Sequence, residues 1–227
     1  MIPRPSNPIV VALDVSELGR AEELADALEG EVGLFKVGLE LFTAVGADAV
    51  VRVRERGPVF LDLKLHDIPT TVERAARNCA RLGVAILTVH ALGGEAMIAA
   101  AVRGAAVGAE EAAFAAPTIA AVTVLSSVGG ESLASPASLA FEAMAAGATG
   151  AVVSGADVSV VRQVVGDAFG LIVPGIRPAG SNGHDQVRVL TPEEAVEAGA
   201  DYLVIGRPIT GSSDPVGTAR AILSSVR

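Results

Sequence analysis

The chain reads as an α/β protein, a single (β/α)8 barrel of the TIM type, on three observations. Short β-branched runs alternate with Ala-rich, charge-speckled segments from end to end. Apolar residues make up 51% of the sequence and aromatics only 3%, so the core has to be built from Val, Ile, Leu and Ala, the usual filling of buried parallel strands and close-packed helices. Polar residues gather where the β-branched runs end.

The strand candidates are 9–13, 33–38, 59–63, 84–89, 118–125, 150–153, 171–173 and 202–205. Each is followed by a segment of helical period: 17–28, 41–54, 72–82, 96–107, 136–146, 158–165, 192–198 and 215–226. Local chemistry marks several helix starts. Ser135 precedes Pro136, Asp214 precedes Pro215, and Thr191 precedes Pro192 with Glu194 in capping-box position. Thr70 with Glu73 offers a fourth start of the same kind. Strict alternation implies parallel strands joined by crossovers, and eight units in 227 residues, slightly under the roughly 250 typical of the fold, favour a closed barrel over an open doubly wound sheet. The first strand runs into Leu13-Asp14-Val15-Ser16 without the Gly-x-Gly-x-x-Gly turn of a dinucleotide-binding sheet. No Walker loop or zinc helix is present in the sequence. The longest irregular interval, 174–190, is rich in Gly, Pro, Ser, Asn and Asp and reads as a lid.

Composition narrows function. The net charge of −9, from 26 acidic and 17 basic residues, argues against binding nucleic acid or an anionic membrane through the overall field, while leaving a small anionic ligand to local charge. Cys79 is the single cysteine, so no intrachain disulfide or cysteine metal cluster is expected, and a buried apolar role is. The apolar run 9–13 is too short for a signal-peptide core. The uncharged stretch 112–130 is broken by Pro117, Thr118, Thr123, Ser126 and Ser127, which argues against a membrane span. A cytoplasmic protein is expected.

In a barrel of this type chemistry sits at the C-terminal ends of the strands. The residues there are Asp14, Lys36, Asp62 with Lys64, His90, Ser126, Ser154, Pro174, and Gly206 with Arg207. The densest group is Asp62-Leu63-Lys64-Leu65-His66-Asp67. Alternation sets Asp62 and Lys64 on one strand face, where flanking carboxylates keep the lysine protonated as a general acid or an electrostatic anchor; a surface ion-pair cluster is the bland alternative. Lys36 interrupts a run of Phe, Val, Leu and Gly, and Asp14 on the neighbouring strand is its natural partner, in a catalytic network or a structural buried pair. Asp14 also suits a helix cap. Loops after strands seven and eight commonly hold phosphate, and Gly206, Arg207, Arg177 and Gln186 supply amides and cations for one. The histidines at 66, 90 and 184 lack metal-ligand spacing; His90 reads as a barrel-mouth histidine bonded to neighbours or as a ligand contact. No nucleophile elbow surrounds Ser126, which favours a hydrogen bond to substrate over a covalent role.

These motifs together resemble the orotidine 5′-phosphate decarboxylase family over essentially the whole chain. The resemblance rests on Ala12-Leu13-Asp14, Lys36-Val37-Gly38, Asp62-Leu63-Lys64-Leu65-His66-Asp67-Ile68-Pro69-Thr70-Thr71, Thr88-Val89-His90-Ala91, Pro174-Gly175-Ile176-Arg177-Pro178, Asp185-Gln186 and Ile205-Gly206-Arg207-Pro208-Ile209. It implies one decarboxylase domain over 1–227, a carboxy-lyase acting on orotidine 5′-monophosphate in pyrimidine (UMP) synthesis, and a homodimer with shared active sites. The implied catalytic array is Lys36, Asp62, Lys64 and Asp67, with Asp67 serving the other subunit and Lys64 protonating C6. Asp14, Lys36 and Thr71 are implied for the ribose, Ser126 for the pyrimidine, and Arg177, Gln186, Gly206 and Arg207 for the phosphate. No metal, flavin or pyridoxal is implied. His184 stands where an acid is expected, a departure confined to the lid. Related sugar-phosphate decarboxylases and aldolases, some using magnesium, share the Asp-x-Lys-x-x-Asp cluster and form the alternative. A binding-only relic would be expected to lack one of Asp62, Lys64 and Asp67, and all three are present.

Overall fold

The computed structural model of the chain describes residues 5–124, 135–178 and 190–227. Eight parallel strands close into a barrel in sequence order: β1 (Ile9–Ala12), β2 (Leu34–Gly38), β3 (Val59–Leu65), β4 (Ile86–His90), β5 (Thr118–Val122), β6 (Gly150–Val152), β7 (Gly170–Pro174) and β8 (Tyr202–Ile205). Closure is made by β8 pairing back onto β1, with Val10 opposite Val204.

Residue parity decides what each strand residue faces. Even-numbered Val10, Leu34, Phe60, Ile86, Ile172 and Val204 form one apolar cluster drawn from strands alone, which fills the barrel. Odd-numbered Val11, Val37, Leu61, Leu87, Val173 and Ile205 belong to a second, larger cluster shared with the helices. Strands buried on both faces read as continuous apolar runs, as Ile-Val-Val-Ala in β1 does. Lys36, Asp62 and Thr88 share the inward parity and stand at the upper end of the apolar filling.

The helices are α1 (Leu18–Leu28), α2 (Leu39–Val45), α3 (Asp48–Arg54), α4 (Pro69–Ala80), α5 (Gly94–Glu111), α6 (Pro136–Ala145), α7 (Val158–Val165), α8 (Pro192–Ala198), α9 (Arg207–Thr210) and α10 (Pro215–Ser225). The single helix expected over 41–54 is two. Gly46 adopts φ 70° and donates its N–H to the Phe42 carbonyl, a positive-φ C-terminal cap that suits glycine and ends α2. Ser135 and Asp214 cap α6 and α10, and Thr191 with Glu194 forms the capping box of α8. The fourth predicted start fails. Ile68 is the N-cap of α4 and no side chain caps it, because Pro69 brings its own helical φ and has no N–H to satisfy. Thr70 is already inside the helix, and Glu73 pairs with Arg103 of α5 at 2.9 Å. Cys79 is buried, and burial pushes its thiol up to about 11.

Residues Ala91–Glu111 are long and apolar enough to cross a membrane by length and composition, yet in this fold α5 lies along α4 as a barrel helix. Its Gly104 and Gly108 fall on one face, and a Cβ on either would stand 2.1 Å from a backbone carbonyl oxygen of α4, that of Glu73 or Arg77. The two helices therefore meet backbone to backbone, bordered by the Arg103–Glu73 and Arg77–Glu111 ion pairs. A side chain here has no flexible neighbour to displace. Gly108→Ala is expected to destabilise the fold by about 1–3 kcal/mol or more, read as a fall in Tm of several degrees; an unchanged Tm would contradict the contact.

Candidate active site

The site grows from an irregularity in β3. Phe60 and Leu61 pair with Ile86 and Leu87, but the next pair is Leu65 with Val89. Four residues of advance on β3 thus match two on β4, and the surplus is taken up over residues 62–64. Lys64 carries it in a left-handed conformation, φ 52°, which costs a residue with a Cβ about 1–2 kcal/mol. In a regular strand, side chains two residues apart stand about 6.5–7 Å apart along the strand. The buckled backbone brings them together, and Lys64 Nζ donates to Asp62 Oδ2 at 2.8 Å.

The neighbouring strands extend this pair. Lys36, at the upper end of β2 and only 8% exposed, donates from Nζ to Asp14 Oδ1 at 2.7 Å and lies 3.9 Å from Asp62 Oδ2. Asp14, Lys36, Asp62 and Lys64 form a row of alternating charge across the mouths of β1, β2 and β3. The other carboxylate oxygen of Asp62, Oδ1, accepts the Thr88 hydroxyl at 3.0 Å. Gly38 leaves space for the row: a Cβ there would stand 2.9 Å from Lys36 Nζ and 3.3 Å from Asp14 Oδ1.

A cavity of about 290 Å³ opens beside the row. Asp14, Lys36 and Asp62 line it together with Arg177, Gly206 and Arg207. Barrel closure is the reason. The pairing of β8 with β1 sets the segments after β7 and β8 against the start of the charged row. Pro174 and Gly175 complete the wall, and the Arg177 N–H donates to the Leu190 carbonyl at 3.1 Å, tying the described ends of the 174–190 interval together.

Other expected site residues stand apart from the row. Among the described residues Asp67 has no ion pair with Lys36 or Lys64; its Oδ1 accepts the Ile68 N–H at 2.7 Å on an exposed turn. Thr71 is exposed in the first turn of α4 and does not line the cavity. Ser126 and Gln186, with His184 and Asp185, lie outside the described residues. His90 is bonded to its neighbours: its ring stacks on His66 at 5.2 Å and its Nδ1 accepts the Leu92 N–H at 3.3 Å. Burial first, then the charges of His66 and Lys64, hold its pKa below the usual imidazole value. Ser154 is buried after β6. Thr88, which touches Asp62 directly, stands in the motif Thr88-Val89-His90-Ala91 but has no role assigned from it; its own signal is a hydroxyl at an inward position of an otherwise apolar strand.

A family profile described as orotidine 5′-phosphate decarboxylase / HUMPS family matches residues 7–222. The chain belongs to this family. Orotidine 5′-phosphate decarboxylase of Moorella thermoacetica is 50% identical over 232 residues, covering 96% of this chain and 91% of the relative. The protein of the same name from Anaeromyxobacter sp. (strain K) is 50% identical over 226 residues, covering 98% and 100%. The crystal structure of orotidine 5′-phosphate decarboxylase from Lactobacillus acidophilus matches with a TM-score of 0.85 at 35% identity, covering 97% of this chain and 99% of that one. This member of the decarboxylase family therefore has the barrel that its alternating pattern predicted.

The space left by Gly38 is specific to the charged row. Gly38→Ala would meet the end of a lysine and a carboxylate oxygen, not backbone, and because that ammonium is buried and bonded to Asp14, the stability cost is expected to be about 1–3 kcal/mol. The crystal structure of the variant is expected to show Lys36 Nζ moved away from Asp14. An undisturbed pair would contradict this role for Gly38.

Proposed function

We propose that the protein converts orotidine 5′-monophosphate to uridine 5′-monophosphate and carbon dioxide, the last step of de novo pyrimidine synthesis, without metal or organic cofactor. The observation that carries the reading is the row Asp14–Lys36–Asp62–Lys64, whose first three members line one cavity together with Arg177, Gly206 and Arg207. Such a cavity suits a ligand with a phosphate at one end and a reacting anionic group at the other.

In the reaction the C6–carboxylate bond breaks, its electron pair stays on C6, and C6 takes a proton from the Lys64 ammonium. Solvent then reprotonates the neutral amine. The pyrimidine ring cannot delocalise the pair into its π-system, so localised charge has to be stabilised by a fixed cation, and Lys64 is held beside the reacting carbon by Asp62. Asp62 faces the departing carboxylate. That unfavourable approach is offset by remote binding energy, from the phosphate on Arg177, Gln186, Gly206 and Arg207 and from the ribose on Asp14, Lys36 and Thr71. Ser126 addresses the pyrimidine. In a cytoplasmic homodimer the exposed Asp67 serves the site of the second copy, consistent with its standing outside the row of its own chain. The sugar-phosphate alternative with magnesium calls for carboxylates open to a cation, whereas Asp14 and Asp62 are each bonded to a lysine ammonium.

Purified protein mixed with orotidine 5′-monophosphate, with chelator and no added cofactor, is expected to show the ultraviolet change of conversion to uridine 5′-monophosphate. No conversion by folded protein would overturn the reading and direct attention to sugar phosphates with magnesium. Lys64→Ala and Asp67→Ala are each expected to lower turnover by at least about 100-fold. Mixing and re-pairing the two variants is expected to recover about a quarter of wild-type activity, because a random half of the dimers then hold one intact site. A mixture as inactive as its components would refute the shared site.

A further inference from the structure

We infer that Thr88 is a positioning residue for the decarboxylation, its buried hydroxyl fixing both the Asp62 carboxylate and the left-handed backbone of Lys64. The inference rests on the decarboxylase reading and adds to it a residue that touches neither the cavity nor the reacting atoms.

Thr88 is fully buried on β4. Its Oγ1 lies 2.8 Å from the Lys64 backbone N and 3.0 Å from Asp62 Oδ1. Chemistry fixes the direction of both bonds. A backbone N–H can only donate, so the hydroxyl accepts from Lys64; an ionised carboxylate can only accept, so the hydroxyl's one proton goes to Asp62. One side chain therefore holds the two residues of the pair by different atoms.

The register explains why a side chain is needed. Between the pairs Leu61–Leu87 and Leu65–Val89, three residues of β3 face the single residue Thr88. A regular ladder cannot span that mismatch. The hydroxyl provides the missing partner for the Lys64 N–H at the point where φ is 52°. It also occupies Asp62 Oδ1 and so leaves Oδ2 for the lysines, Lys64 Nζ at 2.8 Å and Lys36 Nζ at 3.9 Å. Without that bond the carboxylate is free to turn, and the ammonium has no fixed place beside the reacting carbon. Loss of the hydroxyl should therefore fall on the chemical step more than on ligand binding, since the arginines for the phosphate do not touch Asp62 and Lys36 keeps its own 2.7 Å bond to Asp14.

The test compares wild type with Thr88→Val, which keeps the β-branched shape, and Thr88→Ser, which keeps the hydroxyl. Thr88→Val is expected to lower kcat by about 10- to 100-fold, with affinity for uridine 5′-monophosphate changed by less than about threefold and Thr88→Ser close to wild type. The crystal structure of Thr88→Val is expected to show Lys64 leaving its left-handed conformation or Asp62 Oδ2 parting from Lys64 Nζ. Near-normal kcat in Thr88→Val would overturn the inference. So would parallel loss of kcat and ligand affinity that serine does not restore, or an unaltered Asp62–Lys64 geometry. If Thr88→Val does not fold, Thr88→Ala carries the same comparison. Failure of the wild type to convert orotidine 5′-monophosphate would refute the decarboxylase reading instead, and the crystallographic comparison would still decide whether Thr88 holds the pair.

Discussion

An ammonium on the inward face of an apolar barrel has to be neutralised where it stands, and Lys36 imposes that condition on everything around it. Leaving such a group unpaired costs several kcal/mol. Lys36 is only 8% exposed and sits above a filling of Val, Leu, Phe and Ile. Asp14 bonds to it directly and Asp62 stands at 3.9 Å, so these carboxylates are required before any chemistry is considered. Asp62 in turn serves Lys64. Removing Asp62 would leave one lysine without its partner and the other with only Asp14, which makes the row one electrostatic unit and not a set of independent pairs.

The barrel supplies the frame on which that unit is useful. Period-two alternation sends the even residues inward on β1, β2, β3 and β4, so that charge from several strands arrives at one mouth. Closure then sets the segments after β7 and β8 against β1, bringing Arg177 and Arg207 to the cavity that Asp14 also lines. Two arginines and a row of paired charges therefore line one space.

Much of this was legible in order. The eight-fold alternation, the proline-marked starts of α6, α8 and α10, and the strand-end positions of Asp14, Lys36, Asp62 and Lys64 all follow from residue type and spacing. The break between α2 and α3 did not, because a lone glycine in a helical pattern is also tolerated within a helix, and Gly46 acts as a cap only once its φ is positive. Thr70 was misleading for a related reason: proline at the first helical position removed the need for the cap it offers. Asp67 and Thr71 are near the row in sequence yet do not join it: the Asp67 carboxylate takes the Ile68 N–H on the exposed segment before α4, and Thr71 is exposed in the first turn of that helix.

The sequence by itself determined the fold class, the inventory of charged groups and the face on which each begins, because these depend on period, composition and the ends of short runs. Only the tertiary structure decided which oxygen meets which nitrogen. The Asp62–Lys64 bond depends on a mismatch between β3 and β4 and on a left-handed lysine, and neither is favoured by local propensity. Both are set by pairing with a strand more than twenty residues away, where the hydroxyl of Thr88 meets the displaced backbone. Contacts of that kind follow register, and register exists only once the two strands have paired.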